Sequence, residues 1–343
     1  MAWERWKQFA RRLRPRLDTL VGVDFGGGAV KVAEVSLSSG RPYLKTFAVV
    51  EAPEESRQEQ PETEVEQGPV LDTAGLSERL ERALSLSGVR TKNAVLAVGG
   101  RMIFVREVAF PYLAPEELAE AVKWEIPKYV PYEVDSYEFD FAVTGQDAQT
   151  GDLRILIVAA PKQIVQQLTQ VVRGAGLSPV AVDIEPMAVY RTLSGADNAM
   201  ILDVGTVDTQ ISLFQKGNPV FTRMVPFKTG SYAEAAAMAA AGRAEGTAAV
   251  NDIMDELGQE VRRTSQFFDL HNKQASIDKV FLTGATNLDS IVQQLRTRVD
   301  QPVFGHNPLA GVELSPSLSA AHAGKVGPQL AVAIGLAMRG DEP

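Results

Sequence analysis

The 343 residues suffice for two domains or four subdomains with buried cores, and 45% hydrophobic against 22% charged residues fits a soluble globular chain. A net charge of −9 speaks against a general nucleic-acid binder, and the lack of cysteine excludes disulfides and cysteine–zinc sites. His271, His306 and His322 are too scattered for a histidine metal cluster, and neither a signal-peptide core nor a run of ~18 apolar residues is present, so the expected compartment is the cytoplasm.

Residues 2–17 form a short basic segment. Trp3, Trp6, Ala10, Leu13 and Leu17 recur at helical steps, while Arg5, Lys7, Arg11, Arg12, Arg14 and Arg16 fall mostly on the other faces. Two readings stay open: contact with an anionic membrane surface, or packing back onto the protein or a partner. Residues 21–35, VGVDFGGGAVKVAEV, then read as strand, glycine turn, strand. Gly26, Gly27 and Gly28 let backbone N–H groups approach an anion; Asp24 stands where a carboxylate can hold the waters of a Mg²⁺ ion, and Lys31 returns a positive charge. Alone, this stretch fits a phosphate site or a plain glycine-rich hairpin equally. Residues 51–69, rich in Glu, Gln and Pro, read as a solvated loop.

A helix is expected at 75–87 and a strand at 94–98. From Gly99 to about Gly176 an inserted α/β unit follows: a strand at 103–110, a helix opened by Pro115-Glu116-Glu117, strands at 137–143 and 153–160, and a helix at 162–173. Glu125 lies on a helix of alternating charge and reads as a solvated residue. Asp183, at the end of a strand, either faces a cleft or caps the next helix.

Residues 201–228 repeat the opening pattern: a strand ending at Asp203, then Gly205 and Thr206, a strand, a turn at Gly217-Asn218-Pro219 and a third strand. Two such units about 180 residues apart indicate an internal duplication. Residues 229–250 are alanine- and glycine-rich; a long helix is expected from about Asp252 to His271, and a strand at 280–282 leads into Thr283-Gly284-Ala285-Thr286. A last helix is expected over GPQLAVAIGLAMRG, with Pro328 in its first turn and Gly335 allowing close helix packing. No GxxxxGK[ST] loop is present, so a P-loop ATPase is excluded, and no GxGxxG run opens a helix after a strand.

The spacing of Asp24 and Lys31 around three glycines, together with DVGTVDT, resembles the two phosphate loops of the actin-like ATPase superfamily. EELAEAVKWEIPKYVPYEVDSYEFDF, EVRRTSQFFDL, the Asn307-Pro308 segment and the C-terminal helix resemble its PilM family of type IV pilus assembly proteins. The resemblance spans nearly the whole chain. It implies duplicated ribonuclease-H-like halves with an inserted subdomain of the kind found in FtsA and PilM. The expected organisation is 1–19 as the N-terminal segment, 20–98 with 177–199 as the first half, and 99–176 as the inserted subdomain. The second half is then 200–228 with 276–343, and 229–275 is its small helical insert.

The resemblance further implies ATP with Mg²⁺ in the cleft. Asp24 and Asp203 would hold the metal through waters, and Gly26, Gly27, Gly28, Gly205 and Thr206 would cradle phosphates. Lys31 would neutralise their charge, and Gly284 would line the nucleoside. The single glycine there, with Thr283 and Ala285 expected to bring side chains near the nucleoside, and the shortened 229–250 stretch depart from the family; no adenosine clamp can be placed. The implied role is a factor peripheral at the inner membrane that binds the N-terminal peptide of a PilN-like protein, with at most slow ATP hydrolysis. A kinase of small molecules and a polymerising FtsA-like protein are the alternatives; a kinase would need a carboxylate base beside an acceptor pocket.

Overall fold

The computed structural model describes residues 17–38, 40–53, 71–271, 276–286 and 288–341. The basic segment up to residue 16 and nearly all of the acidic loop lie outside them. β1 (Thr19–Gly26) and β2 (Ala29–Ser36) make an antiparallel hairpin with Asp24 opposite Lys31, and β3 (Tyr43–Glu51) extends it. Asp72 accepts the Gly75 N–H to open α1 (Thr73–Ser87), and Gly88, at φ 64°, closes it in the left-handed region that glycine tolerates. β4 (Asn93–Val98) then lies parallel to β1.

Here the chain leaves the sheet through a 3₁₀ turn, Gly100–Met102, into β5 (Phe104–Phe110), α2 (Pro115–Glu125), β6 (Tyr137–Gln146) and β7 (Leu153–Pro161). These strands form their own antiparallel sheet in the order β5-β7-β6, with Leu118, Val122 and Ile126 packed on Phe110, Ile155 and Ile157. α3 (Lys162–Gly174) leads back to β8 (Ser178–Ile184), parallel to β4, and to α4 (Glu185–Arg191).

The second half repeats this plan with β9 (Ala199–Val204), β10 (Thr209–Gln215) and β11 (Asn218–Val225). α5 (Thr229–Ala240) and α6 (Ala244–His271) come next, then β12 (Lys279–Thr283), α7 (Leu288–Arg296) and β13 (Val303–Gly305). β14 (Glu313–Leu314) crosses back to pair with β3, and α8 (Ala320–Val326) and α9 (Ala331–Ala337) end the fold. The sheet orders are β14-β3-β2-β1-β4-β8 and β11-β10-β9-β12-β13. Without β14 they superimpose element for element, which is the duplication expressed as topology.

Both faces of the first sheet are covered, and that is why β1 and β2 read as near-continuous apolar runs. Val21, Val23 and Leu96 pack under α1 and α3; Leu20, Val35 and Val95 pack under α9. α4 and α9 cross so closely that a Cβ on Gly335 would lie 1.7 Å from the Ala188 carbonyl oxygen. Two elements differ from expectation. The alanine-rich 229–250 stretch forms α5 and the first turns of α6, which starts eight residues before Asp252, because alanine favours helix wherever no breaker intervenes. Pro328 opens a separate 3₁₀ turn, Gly327–Leu330, so the last α-helix begins only at Ala331.

Candidate functional site

The ends of β1, β9 and β12 and the start of α4 converge where the two halves meet. Asp24, only 2% exposed, takes a 2.8 Å hydrogen bond from Lys31 Nζ across the first hairpin. The second loop touches the first directly: a Cβ on Gly28 would fall 1.8 Å from Thr206 Oγ1, so only glycine allows that approach. Gly205 donates its N–H to the Asp208 carbonyl at 2.8 Å, which folds the second loop tightly. Thr229 donates its N–H (3.1 Å) and its Oγ1 (3.0 Å) to the Gly205 carbonyl and fixes the loop to α5. Gly284, at φ 92°, lies against the other end of this cluster, where a Cβ would come within 2.3 Å of Asp203 Oδ1.

The electrostatics are lopsided. Asp203 is pushed up to about 6, first by burial and then by the charges of Asp24 and Asp208, with Lys31 opposing. Glu185 is raised well above the ordinary carboxylate range by burial and by Asp24 and Asp203. Asp208 is raised by burial, against the pull of Arg101 and Lys228. Lys31 is drawn down by burial, but Asp24, Asp203 and Glu185 outweigh that and leave it raised. Asp24, Asp203 and Glu185 thus share the half-buried Lys31, while Asp208 has Arg101 and Lys228, and the three around Lys31 are a donor set with surplus negative charge that suits a hydrated divalent cation. Among the described residues no three His, Asp or Glu side chains are placed to ligate a metal ion together. Contact through waters is the mode that these carboxylates fit.

Glu185 and Asp208 join the residues singled out by sequence. Glu185 opens α4 directly behind β8 and lies against Gly99, where a Cβ would be 1.7 Å from its Oε2. Its signal was present in the sequence as an acid at a strand end followed by proline. Asp183 neither caps α4 nor stays open to the cleft. It accepts from Arg191 at 2.5 Å, from Arg339 at 2.6 Å and from the Ile184 N–H at 2.8 Å, and the arginines outweigh burial to hold it below the usual carboxylate range. The side chains of Thr283 and Ala285, expected beside a nucleoside, turn inward instead. Thr283 Oγ1 donates to the Pro328 carbonyl at 2.9 Å, and Ala285 packs in the second core. Glu125 is confirmed as a surface residue, paired with Lys128 at 2.7 Å.

Two facing copies of a strand–Asp–Gly–strand hairpin, with an α/β subdomain inserted into the first half, define the actin-like ATPase class, a nucleotide-binding fold. The profile of the family described as type IV pilus assembly protein PilM matches residues 22–239 and 247–341, pausing only at the turn between α5 and α6. The chain belongs to that family. A chain in the solved PilM–PilN type IV pilus biogenesis complex is 27% identical, with a TM-score of 0.76 over 96% of this chain and 100% of the other. The ethanolamine utilization protein EutJ from Carboxydothermus hydrogenoformans is 16% identical, with a TM-score of 0.54 over 98% and 99% of the two chains, and speaks to the fold.

Proposed function

We propose that the chain is a nucleotide-binding assembly factor on the cytoplasmic face of the type IV pilus inner-membrane platform, where it grips the N-terminal peptide of a PilN-like membrane protein. The observation that carries this is the full-length likeness to a chain solved in complex with PilN. No described helix is long and apolar enough to cross a membrane, so membrane proximity would come from the partner and from residues 2–17. The organisation that goes with this role keeps 20–98 and 177–199 as the first half and 99–176 as the partner-binding insert. The second half is 200–228 with 276–343, and 229–275 is its helical insert.

In the cleft, Asp24 and Asp203 hold Mg²⁺ through waters, Gly26 to Gly28 and Gly205-Thr206 cradle the phosphates of ATP, and Gly284 lines its nucleoside side. Mg²⁺ bound there would supply positive charge between these carboxylates and the nucleotide phosphates. Lys31 stays on Asp24 and sets the charge of the first loop, while Glu185 and Asp208 close the cleft behind the second. On the insert, Trp124 is 79% exposed and Val134 65%, with Tyr112 and Phe139 also open to solvent. β6 is an edge strand there. Apolar anchors beside a free edge suit an extended peptide that adds main-chain hydrogen bonds. A synthetic peptide from the partner's cytoplasmic N-terminus should bind the full chain in calorimetry. A chain lacking residues 100–176, its remaining fold shown by circular dichroism, should not bind it. Unchanged affinity in the deletion, or no binding to the full chain, would overturn the assignment.

A further inference from the structure

The inserted subdomain carries a charge pattern that the cleft does not use. Between Lys128 and Arg154 the chain has six acidic residues, Glu133, Asp135, Glu138, Asp140, Asp147 and Asp152, and no basic one. β6 lies within this run and is an edge of the three-stranded sheet. Its side chains alternate between the two faces. Tyr137, Phe141 and Val143 lie on the face that α2 covers, in the core of the insert. Phe139 belongs to the same set but stays exposed, its ring 6.2 Å from Tyr137, which in turn lies 6.2 Å from Tyr132. Glu138, Asp140 and Ala142 alternate with these and are exposed. Asp140 Oδ1 accepts the Phe141 N–H at 2.8 Å. The cations Arg154 and Lys162 stand at the two ends of the strand, Arg154 against Gly145 and Lys162 with its N–H on the Ser136 carbonyl at 2.9 Å.

We propose that the β6 edge takes an extended partner strand whose side chains alternate apolar and basic; this rests on the peptide reading above. A strand added beside β6 continues the pleat, so every second residue falls on the α2 face beside Phe139 and Phe141. Apolar side chains there cover the end of the aromatic row. The residues between them fall beside Glu138 and Asp140, where lysine or arginine makes cross-strand pairs of opposite charge. The same carboxylates disfavour the other strand that is always at hand, the β6 of a second copy. Two copies paired antiparallel about Phe139 would set Glu138 opposite Asp140, and like charges across a ladder repel. An acidic edge is thus guarded against its own kind and selects a basic strand.

Calorimetry on the full chain at low salt tests this with synthetic peptides of ten residues, the length of β6. One alternates lysine and valine, one alternates glutamate and valine, and one carries the same lysines and valines in two blocks. Wild type should bind the alternating lysine peptide about tenfold tighter than either of the others, the scale of two favourable cross-strand pairs. Glu138→Lys with Asp140→Lys, shown folded by thermal melts, should lose about tenfold for that peptide and gain for the glutamate peptide. Glu78→Lys with Glu81→Lys makes the same charge change on exposed positions of α1 and should alter neither by more than about twofold. Equal binding of the alternating and block peptides, binding of none of them, or a β6 double variant that behaves as wild type would overturn this inference alone. A dimer in sedimentation that the β6 double variant abolishes would give the edge to a second copy and overturn it too. Failure of the partner's own N-terminal peptide to bind the full chain would overturn the parent reading and this one with it.

Discussion

In the first half the aspartate near the end of β1 stands opposite a lysine, Asp24 across from Lys31; in the second, Asp203 of β9 stands opposite Gln210. The register is the same and the charge is not. Lys31 gives its ammonium to Asp24 at 2.8 Å, whereas Gln210 turns its amide to Thr222 at 2.9 Å and leaves Asp203 without a cation across its own hairpin, offset only by Lys31 of the other half. One topology thus carries a neutralised carboxylate on one wall of the cleft and a carboxylate pushed up to about 6 on the other. The duplication built two hairpins of one register, and a single position across each decides which carboxylate has a cation beside it.

The contrast can be broken most sharply by removing each carboxylate in turn. Asp24→Asn leaves Lys31 buried without its partner and should destabilise the protein by about 3 kcal/mol in denaturant unfolding, since breaking a buried pair strands a charge. A loss below about 1 kcal/mol would show that Asp203 and Glu185 compensate Lys31 unaided. Asp203→Asn should do the opposite in metal-free protein at pH 8, stabilising it by on the order of 1 kcal/mol, because it removes a charge that burial opposes. Two substitutions of the same kind, at equivalent positions, are expected to differ in sign.

The pH dependence sharpens this further. The Asp203 carboxyl holds its proton more tightly in the folded state, at about 6 against an ordinary 3.8. The folded state therefore binds the extra proton, and metal-free stability should fall as pH rises from about 4 through about 6. Glu185 adds to this trend in the same direction, whereas Asp183, held low by Arg191 and Arg339, adds stability that is lost on acidification. Melts across that range should show the decline in wild type and a weaker one in Asp203→Asn; an equal slope in both would assign it elsewhere. The smallest effect is expected far from the cleft: Trp124→Ala should change stability by less than about 0.5 kcal/mol, since the ring is mostly in solvent, while still weakening peptide binding.

Much of this was legible in the sequence because the decisive features are local. Asp24, the three glycines and Lys31 lie in one hairpin, and Asp203, Gly205 and Thr206 in another, so their spacing alone announces paired loops. Glu185 and Asp208 were not legible as cleft residues. Their roles depend on β8 lying beside β4 and on the second loop meeting the first at Gly28 and Thr206, which are contacts between distant segments. The inward turn of Thr283 was hidden for the same reason, since its partner is a carbonyl at Pro328, forty-five residues away. The early start of α6 is a different kind of miss: 229–275 reads as a helical insert, but the long helix is expected only from Asp252, although alanine itself is the strongest helix former.

The wall that lacks a cation across its own hairpin is the one on which we propose a divalent cation sits with nucleotide phosphate. Titrating wild-type and Asp203→Asn protein calorimetrically with ATP, with and without Mg²⁺, tests it most directly. Wild type should bind ATP in a Mg²⁺-dependent manner, and Asp203→Asn should lose at least about tenfold in affinity, the scale of one charge-assisted contact. Binding that is indifferent to Mg²⁺ and to the substitution, or no binding at millimolar ATP, would contradict it.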